Sequence, residues 1–133
     1  MRLLRRKRVR TAHAAQHNSA RLKAAWIRLL IVGAGILVFG VFAAVAPGAG
    51  DRPLMRADGV AATGMGLFGV LITLVPFRRG ERWAWYAQWY YPAFWTAHLA
   101  GGLPPGKDHV HQVVPIVLSL TGLLLPVRVF FPA

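Results

Sequence analysis

The stretch LLIVGAGILVFGVFAAVA, residues 29–46, runs for 18 positions without an Asp, Glu, Lys or Arg. At about 1.5 Å of rise per residue, a helix of that length covers roughly 27 Å, close to the ~30 Å hydrocarbon core of a bilayer. Residues 60–77, 83–99 and 113–127 are three further stretches of 15 to 18 residues with no charged side chain. A chain of 133 residues is too small to surround four such helices, so their outer faces must meet lipid. The pattern predicts an all-α protein: a four-transmembrane-helix, up-down-up-down bundle with a basic N-terminal cytoplasmic arm.

Charge sets the orientation. Nine of the 16 basic residues precede the first span, namely Arg2, Arg5, Arg6, Lys7, Arg8, Arg10, Arg21, Lys23 and Arg28. Arg78, Arg79 and Arg82 lie between the second and third spans, and Arg128 ends the fourth. With both termini cytoplasmic, 13 basic residues fall inside and three (Arg52, Arg56, Lys107) outside, interspersed with Asp51, Asp58 and Asp108. That asymmetry obeys the positive-inside rule and predicts a multi-pass protein of the bacterial cytoplasmic membrane. Arg21, Lys23, Arg28, Arg78, Arg79 and Arg82 are then the contacts to anionic headgroups, each worth about 1 kcal/mol. A net charge of +12 also suits nucleic acid, but the arm lacks interleaved aromatics and any reading motif, so nucleic acid is not an expected partner.

The chain has no Cys, which excludes disulfides, zinc–thiolate sites and thiol chemistry. Ala44-Val45-Ala46 looks like a signal-peptidase site, but an 18-residue apolar run exceeds the ~7–15 residues of a signal peptide. The first span therefore reads as an uncleaved anchor. Arg5-Arg6 lies too far from the apolar run to be a twin-arginine signal.

Residues 1–19 read as a flexible basic arm and residues 20–133 as the membrane domain. Ser19 is placed to cap a helix that passes Trp26, at headgroup level, into the first span. Pro47, Gly48 and Gly50 end it. The connections over residues 51–59 and 78–82 are short and force neighbouring helices to run antiparallel. Glu81 is expected to pair with Arg78, Arg79 or Arg82, and residues 100–109 form a Gly- and Pro-rich outer loop.

Small residues mark where helices approach: Gly33, Gly35 and Gly40 in the first span, and Gly64, Gly66 and Gly69 in the second. Lipid removes the hydrophobic drive for helix association, so close backbone packing must supply it. Gly64-Met65-Gly66-Leu67-Phe68-Gly69 also matches the dinucleotide pattern G-x-G-x-x-G. With no preceding strand and a position inside a membrane span, that match carries no nucleotide site.

From Trp83 to Trp95, eight of 13 residues are aromatic. At 100° per residue, Trp83, Tyr90, Phe94 and His98 share one face, with Tyr91 nearby. Interfacial belts account for Trp83, Trp85, Tyr86 and Trp95. Trp89, Tyr90 and Tyr91 sit deeper and need partners, for which Gln88, Thr96 and the carbonyls freed by Pro92 are available. Trp89, Tyr90, Tyr91, Phe94 and His98 are the candidate slot for a lipid or isoprenoid-like ligand. A second candidate is an outer-face metal or haem site from His98, Asp108, His109 and His111. The i, i+2 spacing of His109 and His111 suits one metal only on extended chain, and the outer-face histidines form no H-x-x-x-H. The spans hold no carboxylate or Lys for a proton relay.

The segment Phe77-Arg78-Arg79-Gly80-Glu81-Arg82-Trp83-Ala84-Trp85, an Asp-containing outer loop and the ending Phe130-Phe131-Pro132 resemble small four-helix bacterial membrane proteins loosely grouped as DoxX-like. The resemblance covers roughly residues 25–133 and centres on R-R-G-x-R-W-A-W. It implies the four-helix fold and no particular reaction. Abundant packing residues and scarce reactive ones favour a non-enzymatic accessory or scaffold component, with no cofactor. Membrane lipids and a partner membrane protein or second copy are the expected partners.

Overall fold

The computed structural model describes residues 2–48, 50–101 and 109–132, and these form four helical rods with no strand among them. The first rod is α1, Arg2–Val45, a single helix of 44 residues. It does not begin at Ser19, which lies inside it. Residues 2–28 contain no Gly or Pro and are rich in Ala, Arg, Leu and Lys, so nothing interrupts the helix before the apolar stretch.

The second rod is α2, Arg52–Ile72, extended by a π-helical turn over Thr73–Phe77. Asp51 caps its start by accepting from the Leu54 amide at 3.3 Å, with Pro53 in the first turn, where a missing N–H costs nothing. Pro76 cannot return a hydrogen bond to the preceding turn, which is where the helix widens. Gly80, at φ +76°, then makes the reversal that a side chain would strain.

The third rod is broken. α3, Arg82–Gln88, and α4, Tyr90–Ala100, meet at Trp89, whose amide bonds tightly back to the Tyr86 carbonyl at 3.2 Å. Pro92 has no N–H for the Gln88 carbonyl, so the α-helical ladder is interrupted there. The fourth rod is α5, Val110–Leu124, followed by the short α6, Val127–Phe130, after Pro126. Gln16–Val45, Arg52–Phe77 and Val110–Phe130 are each long and apolar enough to cross a membrane. The third rod, in pieces of 7 and 11 residues, is not one continuous helix of that length.

α1 packs against α2 and α5, and α4 against α5. The α1–α2 pairing rests on a seam of glycines. A Cβ at Gly66 would lie 2.6 Å from the Leu37 Cα, one at Gly40 2.8 Å from the Ala62 carbonyl carbon, and one at Gly59 2.7 Å from the Ala43 carbonyl carbon. Each is too close for any side chain, so the backbones touch and dispersion contacts hold the rods. The paired positions climb on one helix as they descend on the other, which fixes an antiparallel register. On the other flank, a Cβ at Gly122 of α5 would lie 3.2 Å from the Ala25 carbonyl and 3.1 Å from Leu29.

Not every glycine assigned to packing is at the seam. Gly64 and Gly35 have nothing within 4 Å of where a Cβ would stand. At 100° per residue Gly64 points some 200° away from Gly66 and so faces outward.

Replacing Gly66 by Leu is therefore expected to cost about 3 kcal/mol or to prevent assembly of the rods. Gly35→Leu, into open space, should change stability by no more than about 0.5 kcal/mol. Thermal unfolding of both variants in mild detergent checks the contrast.

Candidate functional site

The aromatic segment is organised around one residue. Tyr91 of α4 is fully buried, and its phenol enters a notch formed by Gly33 of α1 and Gly69 of α2. A Cβ at Gly33 would stand 3.4 Å from the Tyr91 Cζ and 3.2 Å from Val70, and a Cβ at Gly69 would overlap the ring itself. Both positions must be glycine for the ring to enter. The Tyr91 hydroxyl has no hydrogen-bond partner among the described residues. Tyr91 thus anchors the third rod to the first two.

Beside the notch lies a buried polar node. Gln88 Nε2 donates to the Gly69 carbonyl at 3.0 Å and to Thr73 Oγ1 at 2.8 Å. Thr73 Oγ1 donates in turn to the Gly69 carbonyl at 2.8 Å. Gln88 is 2% exposed and Thr73 fully buried. In a dry interior these bonds satisfy groups that would otherwise be costly to bury. Gln88 therefore serves the backbone of α2 rather than the neighbouring Tyr or Trp side chains. Thr73 gives no signal in the sequence, because its role depends on the helix opening into a π turn at that point.

A groove of about 410 Å³ runs between α2 and the third rod. Gly64, Phe68 and Ile72 form one wall, Tyr90 the other, and Gln88 the polar part of its lining. The outward-facing Gly64 contributes no side chain to fill it. Of the five expected slot residues, only Tyr90 lines this groove. Tyr90, Phe94 and His98 stack as an i, i+4 ladder, with ring centroids 5.8 Å and 4.4 Å apart. Trp89 packs edge-on against Trp85 at 5.5 Å.

The turn carrying the R-R-G-E-R-W-A-W segment works as a clasp at the arginine-rich end. The Arg78 guanidinium lies over the Trp26 ring of α1, 4.7 Å from its centroid. Arg82 Nε donates to the Phe130 carbonyl at 3.0 Å, and Trp85 Nε1 donates to the Leu123 carbonyl at 2.9 Å. Phe77 stacks on Phe130 at 4.9 Å. All four rods are thereby joined through groups that also suit an interfacial position. Glu81 accepts from Trp83 Nε1 at 2.7 Å, so its partner is an indole rather than a neighbouring arginine.

The outer-face histidines His98, His109 and His111 have different surroundings. His98 packs on Phe94 and Trp95, whereas His109 Nδ1 sits 3.4 Å from Gln112 Oε1. His111 Nε2 is buried with no partner among the described residues. Asp108 lies outside the described residues, within which no three His, Asp or Glu side chains gather as metal ligands. Ser119 is buried and donates to the Pro115 and Ile116 carbonyls at 2.7 and 3.1 Å, so its hydroxyl is committed to its own helix.

Tyr91→Phe should leave stability unchanged or raise it by up to about 1 kcal/mol, because it removes a buried hydroxyl without a partner. Tyr91→Ala should cost about 3 to 5 kcal/mol by emptying the notch. Thermal denaturation of the two variants side by side separates an anchoring ring from a hydroxyl that does chemistry. Compared with protein-family models, curated proteins and solved structures, the chain finds no match in any of the three.

Proposed function

We propose that this chain is a four-span protein of the bacterial cytoplasmic membrane, with both termini inside, acting as a non-enzymatic accessory or scaffold component. Four charge-free stretches of 15 to 18 residues support the four-span part of this reading. So does the clustering of Arg28, Arg78, Arg79, Arg82 and Arg128 at one end of the rods, since basic residues near helix ends orient a membrane protein. The third rod crosses with its neighbours, anchored by Tyr91 and by the Trp85 bond to Leu123.

One observation carries the scaffold reading. Four interior polar side chains serve this chain's own backbone: Gln88 and Thr73 at Gly69, Trp85 at Leu123, and Ser119 at Pro115. The outward faces are instead apolar and large. Phe39, Phe42 and Phe68 are 55%, 68% and 67% exposed, surfaces that suit lipid, a partner membrane protein or a second copy.

The groove beside Tyr90 favours a second reading, a lipid or isoprenoid binder. Its apolar walls suit a hydrocarbon chain, and Gln88 offers a polar contact within it.

Because the chain lacks Cys, orientation is directly testable. In intact spheroplasts an impermeant maleimide should label Ala57→Cys and leave Ser19→Cys unreacted until the membrane is opened, and the reverse pattern would overturn the topology. A native mass spectrum of protein extracted in mild detergent should show protein subunits at a fixed ratio. A lone chain carrying a lipid that Tyr90→Ala removes would favour the binder instead.

A further inference from the structure

A second cleft, of about 530 Å³, lies on the opposite flank of α1, lined by Arg21, Arg28, Thr121, Leu124 and Leu125. Arg21 and Arg28 are seven residues apart, so they share a face of α1 with their Cα atoms about 10.5 Å apart along the axis. Beside them the helix is pinned to α5, where fully buried Ala25 and Leu29 meet Gly122. The two arginines form one wall of the cleft, and Leu124 and Leu125, at the end of α5, line the other.

Arg28 Nη1 is buried and has no hydrogen-bond partner among the described residues. A guanidinium nitrogen removed from water without an acceptor is costly, and the charge calls for a counter-charge close by. The chain contains only four acidic residues. Asp51 caps α2, and Asp58 adjoins Gly59, which packs against Ala44, 16 residues and about 24 Å of helix from Arg28. Glu81 accepts from Trp83, and Asp108 lies outside the described residues. The Thr121 hydroxyl is bonded to the Val117 and Leu118 carbonyls. None of the three described acids pairs with Arg28, and its Nη1 stays without a partner among the described residues.

We propose that this cleft is a binding site for one anionic glycerophospholipid. Its phosphate bridges Arg28 and Arg21, and an acyl chain lies along Leu124 and Leu125. Basic pockets between transmembrane helices on the cytoplasmic side take headgroups in this way, and Arg presents a planar fork that matches phosphate oxygens. A bound lipid of this kind also joins α1 to α5 from outside, across the contact at Gly122. The position at the inner leaflet rests on the proposed orientation, but binding is read on purified protein and fails or stands apart from it.

The test is native mass spectrometry of delipidated protein titrated with phosphatidylglycerol, phosphatidylcholine or inorganic phosphate. The wild type should retain one phosphatidylglycerol in preference to phosphatidylcholine, with inorganic phosphate unable to displace it. Arg28→Gln should weaken that binding about tenfold or more, whereas Arg79→Gln, which removes an inner charge outside the cleft, should not. If Arg28→Gln does not fold, Arg21→Gln reads the same cleft. Equal retention of the two lipids, or equal loss from the Arg28 and Arg79 variants, would overturn the site. Displacement by inorganic phosphate would reassign it to a free anion.

Discussion

The insertion of one phenol ring between two glycines is the contact on which the rest of this bundle depends. Tyr91 reaches from the third rod to the facing surfaces of α1 and α2, and it can do so only because Gly33 and Gly69 have no side chains. In lipid an apolar side chain gains little by leaving its surroundings, so helices associate through close packing and a few internal hydrogen bonds. The α1–α2 seam at Gly40, Gly59 and Gly66 supplies the packing. The node at Gln88, Thr73 and Gly69 supplies the hydrogen bonds, one helical turn from the Tyr91 ring.

The broken third rod follows from the same constraint. Pro92 frees a turn of backbone at Trp89, and Pro76 widens the end of α2 beside Thr73. These two irregularities bring Gln88 and Thr73 into contact across adjacent rods. Buried polar side chains thereby satisfy backbone carbonyls, which is how departures from a straight helix are tolerated in a dry interior. At the arginine-rich end, Arg78, Arg82 and Trp85 each meet a ring or carbonyl of another rod.

Much of the fold was legible in the chain. Four charge-free stretches, short polar turns and the glycines of the first two spans give antiparallel rods that touch through small residues. The site was less legible, because periodicity places residues on a face without saying what the face meets. Tyr90 and Tyr91 are adjacent in an aromatic run, yet one lines a groove and the other fills the core, a choice made by glycines on two other helices. Gly64 and Gly66 look alike in sequence, and only the register with Leu37 tells the outward one from the seam. Glu81 among three arginines suggested an ion pair, but the turn at Gly80 brings the Trp83 indole to it instead.

The most direct measurement is magic-angle-spinning NMR of the protein in bilayers, with Tyr ring carbons and Gly Cα carbons labelled. The chain has only three Tyr, so assignment is tractable. The account predicts cross-peaks from the Tyr91 ring to Gly33 and Gly69 Cα, and none from that ring to lipid acyl chains. A Tyr91 ring in contact with lipid, with both glycine cross-peaks missing, would contradict it.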